Sequence, residues 1–128
     1  PPTKAQIDEA IKITAGNLKL TVRTSKTPKK NIKAVVKQDA ALKSLLQEVK
    51  EAGYTVKYKF YRSESKKSGY AARLTKTTGV YLNTEGQANA KYYYKAKLQI
   101  LDQDGKLVAE TALRQCRFGV RIWTKGEK

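Results

Sequence analysis

The chain has 128 residues, 40% of them apolar, enough for one domain with its own core and too few for several. Its 27 basic and 11 acidic residues give a formal charge of +16, which bears on partners rather than fold and points to polyanions such as nucleic acid, anionic lipid headgroups or acidic cell-wall polymers. Histidine is absent and Cys116 stands alone, which excludes Ser-His and Cys-His nucleophiles, an internal disulfide and any cysteine-based metal cluster.

Residues 1–4 read as the end of a linker, and the missing initiator methionine leads us to expect a processed product or a piece of a longer protein. Over residues 6–17 two periods compete. Ile7, Ala10 and Ile11 have helical spacing, Ile11 and Ile13 alternate as in a strand, and Gly16-Asn17 is a turn signal. Leu18, Leu20 and Val22 alternate with Lys19, Thr21 and Arg23, which predicts a strand. Residues 25–31 are polar and contain Pro28, so they read as a loop, with Lys26, Lys29, Lys30 and Lys33 as a non-specific basic cluster around it. Residues 32–36 form a short strand or an extended edge.

Residues 39–52 are the one helix the pattern predicts outright. Asp39 is its N-cap, Leu42, Leu45, Leu46 and Val49 fall at i, i+3, i+4 and i+7, and Gly53 stands where a C-terminal cap belongs. A strand at 54–63 follows, with Val56, Tyr58 and Phe60 on one face and Lys57, Lys59 and Tyr61 on the other. Residues 64–69 read as a turn, 70–75 and 79–83 as short strands, and 84–89 as a loop. In the long strand 91–101, Tyr92, Tyr94, Ala96, Leu98 and Ile100 oppose Tyr93, Lys95, Lys97 and Gln99. Alternation this regular predicts half-buried antiparallel strands. Asp102-Gln-Asp-Gly105 is a hairpin connector. The return strand starts at Lys106, with a bulge expected near 110–113. It carries Cys116, Phe118, Val120 and Ile122 inward and Arg117, Arg121 and Trp123 outward.

Tyr58-Lys-Phe-Tyr-Arg-Ser63 resembles the third-strand signature of bacterial fibronectin type III modules, and Lys91-Tyr-Tyr-Tyr-Lys-Ala-Lys-Leu98 resembles their sixth strand. The resemblance spans residues 54–123. It implies an antiparallel β-sandwich of fibronectin type III or immunoglobulin-like type, with Tyr92 as the structural corner tyrosine whose hydroxyl bonds back to the main chain. The first half departs from the family. Leu18 to Val22 can serve as the second strand, but the loop-helix segment at about 29–53 has no counterpart and reads as an insertion within a single domain, 1–128.

An enzyme is not expected. The carboxylates are scattered, the glycines form no phosphate loop, Asp102 and Asp104 read as turn residues rather than calcium ligands, and Cys116 reads as a small buried hydrophobe. No metal and no cofactor is implied. The outward residues of three strands should instead gather into one basic and aromatic face: Lys57, Lys59, Tyr61, Tyr93, Lys95, Lys97, Arg117 and Arg121. That face is either a solvated sheet surface or a polyanion site. The expected role is a structural or adhesion module of a larger cell-surface or secreted protein. Its expected partners are other domains of the same chain and an anionic cell-wall or extracellular polysaccharide. The alternative is a nucleic-acid-binding domain, with lysines on phosphates and tyrosines on bases. No apolar run is long enough for a membrane span.

Overall fold

The ambiguous first segment is a helix. Thr3 accepts a hydrogen bond from the Gln6 N–H at 3.2 Å while the Gln6 side chain accepts from the Thr3 N–H at 2.9 Å, closing a capping box. The helix, α1 (Lys4–Asn17), buries Ile11 and Ala15 with Ile7 packed beside them, a stripe at four-residue spacing, and leaves Ile13 57% exposed. The strand-like alternation of Ile11 and Ile13 is therefore incidental, and the described residues hold two helices where the apolar periodicity predicts one. In the computed structural model residues 1–26, 31–83 and 91–116 are described, together with the backbone of 120–121.

Leu18 and Leu20 are buried as expected, but pairing starts later, in β1 (Thr21–Lys26). β2 (Ile32–Lys37) pairs with β1 on one side and with β5 (Val80–Asn83) on the other. It is the middle strand of a three-stranded sheet, where the sequence left an edge open. Its inward residues Ile32, Ala34 and Val36 are buried. Lys26 and Lys33 lie in paired strands rather than in a loop, while Lys29 and Lys30 fall outside the described residues.

α2 (Ala40–Glu51) forms as the pattern predicts. Asp39 accepts from the Leu42 N–H at 2.8 Å, and Leu42, Leu45, Leu46 and Val49 are buried. Gly53 adopts φ 86°, which lets the Tyr54 N–H turn back onto the Val49 carbonyl at 2.8 Å.

The larger, six-stranded sheet is built on β3 (Thr55–Ser63) and β6 (Lys91–Leu101). Their antiparallel register sets Tyr58 opposite Leu98 and Lys59 opposite Lys97. β4 (Ala71–Lys76) flanks β3, and β7 (Leu107–Glu110), β8 (Arg114–Gln115) and β9 (Val120–Arg121) pair with β6. Gly105 at φ 81° closes the β6–β7 turn. The bulge expected near 110–113 is a break between β7 and β8. There the Thr111 hydroxyl takes a ladder position, accepting the Leu98 N–H at 3.0 Å.

The chain crosses between the sheets at 77–79, where the Tyr58 ring would lie only 3.2 Å from a Cβ on Gly79. The inner faces meet through aromatic contacts. Tyr81 of β5 packs edge-on to Tyr94 of β6, centroids 5.8 Å apart, and tilted against Phe60 of β3 at 5.7 Å. The product is an antiparallel β-sandwich carrying two helices. α1 lies against β7 and α2.

Candidate functional site

Period-two alternation sends every second residue of β3 and β6 away from the core, and the register decides which of them become neighbours. Lys57 stands across from Gln99, Lys59 from Lys97, Tyr61 from Lys95 and Ser63 from Tyr93. Lys57, Lys59, Tyr61, Tyr93, Lys95 and Lys97 thus share one outward face, each half-buried by its neighbours. Arg117 lies outside the described residues. For Arg121 only the backbone is described, paired with Lys91.

Like charges face each other directly at Lys59 and Lys97, an arrangement that costs stability when nothing neutralises it. One carboxylate does so in part. Glu110 of β7 accepts from Lys97 Nζ at 3.0 Å and from Gln99 Nε2 at 3.1 Å. These bonds, Gln99 first and then Lys97, hold the Glu110 carboxyl below its ordinary value, with the Lys59 charge adding to the effect. The same ion pair raises the Lys97 ammonium.

Lysines of this face also lie over tyrosine rings. Lys95 sits 4.2 Å above the Tyr70 centroid, Lys59 lies 5.6 Å from that of Tyr61, and Lys91 lies 5.8 Å from that of Tyr93. Tyr70 is locked in place: its hydroxyl donates to the Lys66 carbonyl at 3.0 Å and accepts from Gln115 Nε2 at 2.7 Å. Tyr70, Gln115 and Glu110 belong to this surface, and the sequence pattern does not reveal them. Tyr70 precedes its strand, and the other two reach the face through the placement of β7 and β8 against β6.

Two polar clusters lie elsewhere. In the core, Arg62 Nη1 donates to Asn83 Oδ1 at 2.7 Å, and Asn83 Nδ2 donates to the Tyr94 hydroxyl at 2.8 Å. Burial pushes the Tyr94 phenol up. The Arg62 guanidinium also lies 4.9 Å from the centroid of the Tyr92 ring, which is buried. At the base of α1, Lys4 Nζ reaches Asp8 at 2.8 Å and Asp102 at 3.2 Å, and the Tyr54 hydroxyl donates to Asp8. Asp102 Oδ1 also accepts the Asp104 and Lys106 N–H groups at 2.9 Å each, so the turn carboxylate expected from sequence doubles as an anchor for α1.

A cleft of about 540 Å³ opens between α2 and the 77–80 segment, lined by Gln38, Leu46, Lys50, Tyr58 and Thr77 among others. Burial pushes the Tyr58 phenol up there, against a hydrogen bond with Gln38. The Cys116 thiol is buried and pushed up by that burial, and it accepts the Tyr94 N–H at 3.3 Å, consistent with packing rather than reactivity.

No protein-family model matches the chain, and no curated protein matches it. Among solved structures, an Fn3-like protein from Clostridium thermocellum is similar with a TM-score of 0.47 and 16% sequence identity, over 85% of this chain and 95% of that one. Among the described residues no helix is long and apolar enough to cross a membrane.

Proposed function

We propose that this sandwich is a non-catalytic structural or adhesion module, fibronectin type III-like in build, of a larger cell-surface or secreted protein, and that it contacts anionic polymers through the outward face of β3 and β6. The observation that carries this reading is the register. It stacks Lys57, Lys59, Lys95 and Lys97 on one side of one sheet, with Glu110 as the sole carboxylate among the described strand residues of that face. A linear polyanion laid across the strands meets several ammonium groups at once, and the release of its counterions favours binding.

The test is retention of the protein on an immobilised acidic polysaccharide in low salt, with release as salt is raised. Replacing Lys57, Lys59, Lys95 and Lys97 together by Gln should abolish retention and leave the fold intact. Replacing Lys12, Lys19, Lys37 and Lys43, exposed residues off this face, removes the same charge and should leave most of it. Equal loss in both variants would reduce the effect to net charge. Absence of retention in the parent would leave only a spacer module.

A further inference from the structure

The Glu110 carboxylate is held where the polymer's own anion would bind. It lies against the Lys97 ammonium and the Gln99 amide, with Lys59 across the strand from Lys97 and Lys57 across from Gln99. The group is 40% exposed and comes from β7, outside the two strands that supply the cations. Its Lys97 partner is 20% exposed, and a pair still open to water in this way is weak enough to exchange. Along the rest of the face the rings of Tyr61, Tyr70 and Tyr93 already have lysine ammonium groups above them, at 5.6, 4.2 and 5.8 Å. A nucleobase would have to displace a lysine in order to stack, whereas an oxyanion meets the ammonium directly. The surface therefore suits a polymer that binds through its oxyanions and does not depend on stacking a nucleobase.

We infer that Lys59, Lys97 and Gln99 form a carboxylate subsite for an acidic polysaccharide, and that Glu110 is a resident competitor which a uronate carboxylate displaces. This rests on the reading of the face as an anion site. Glu110 then acts as a selectivity element: it lowers affinity for short or sparsely charged anions and yields to a polymer that engages Lys95 at the same time.

The experiment measures binding of the full chain to polygalacturonate in low salt, with long-chain polyphosphate and an oligo-dT as comparison polymers of matched charge. Glu110→Gln, which keeps the side-chain shape, should tighten polygalacturonate binding about two- to fivefold, the range of one exposed charge pair. Glu48→Gln on α2 makes the same change of net charge away from the face and should shift it far less. Unchanged thermal midpoints show that both variants fold. If the parent binds and Glu110→Gln binds no better than Glu48→Gln, the competitor role is overturned while the anion face stands. Tighter binding of polyphosphate or oligo-dT than of polygalacturonate by the parent overturns the polysaccharide assignment. Binding by Glu110→Gln alone, with a silent parent, overturns the displacement, because Glu110 then blocks the face instead of yielding to the polymer. Failure of the parent and both variants to bind any probe overturns this inference and the proposed function together.

Discussion

Asn83 shows how much a single buried side chain can carry in this fold. Fully buried at the end of β5, it is tied at one atom to Arg62 of β3 and at the other to Tyr94 of β6, so it bridges the two sheets with a charge at one end. Removing it leaves the guanidinium and a phenol without these partners in a low-dielectric interior, where unmade hydrogen bonds are most costly. Asn83→Ala should therefore destabilise by about 2–4 kcal/mol and Tyr94→Phe by about 1–2 kcal/mol, because the second change orphans a neutral amide only. Urea unfolding of the two variants checks this. The reverse order would mean that Arg62 draws its compensation from elsewhere and that the Asn83 bridge contributes little.

At the scale of elements, α1 is held by charge as well as by its short apolar stripe. The Lys4 bond lowers the Asp8 carboxyl first, with the Tyr54 hydroxyl next. The Lys106 main-chain N–H lowers Asp102 first, with Lys4 adding to it. Both fall below the ordinary 3.8, so the folded state binds fewer protons than the unfolded chain in acid. Their stabilisation is present above that value and is lost as pH drops through the lowered folded values. Lys4 and Tyr54 are raised and stay protonated throughout this window. Lys4→Gln should lower the thermal midpoint at neutral pH, and its curve should converge on that of the parent once the pH falls below the lowered Asp8 and Asp102 values. A gap between the two that stays constant from neutral to acid would show that Lys4 acts by packing and not by pairing.

For the whole molecule, +16 on 128 residues means that the folded surface repels itself. Only three ion pairs are formed among the described residues, and two of them share Lys4. Added neutral salt should accordingly raise the thermal midpoint, most steeply up to about 0.15 M, where the screening length falls to roughly 8 Å. A flat response in calorimetry would mean that local cation–ring and ion-pair contacts have already absorbed the repulsion. The same self-repulsion is what a bound polyanion would relieve, so stabilisation by salt and stabilisation by ligand should not add.

Much of this protein is legible in the sequence because alternation and capping are local. Val56, Tyr58 and Phe60 against Lys57, Lys59 and Tyr61 state the inside and outside of β3 with no reference to the rest of the chain. Asp39, the leucine stripe and Gly53 likewise define α2 by short-range geometry alone. The sandwich and the outward lysines and tyrosines of β3 and β6 follow from such patterns. The α1 helix follows only in part, because its apolar stripe is narrow, the alternation of Ile11 and Ile13 competes with it, and docking against β7 decides it; the Thr3 to Gln6 capping box is its local signal. The central place of β2 is invisible, since its partner β5 lies more than forty residues along the chain. The tertiary structure alone brings Glu110, Tyr70 and Gln115 onto the basic face and Asn83 between Arg62 and Tyr94. Periodicity says which way a side chain points. Which charges and rings it then meets depends on strand order and register, which are set by long-range pairing that no local pattern encodes.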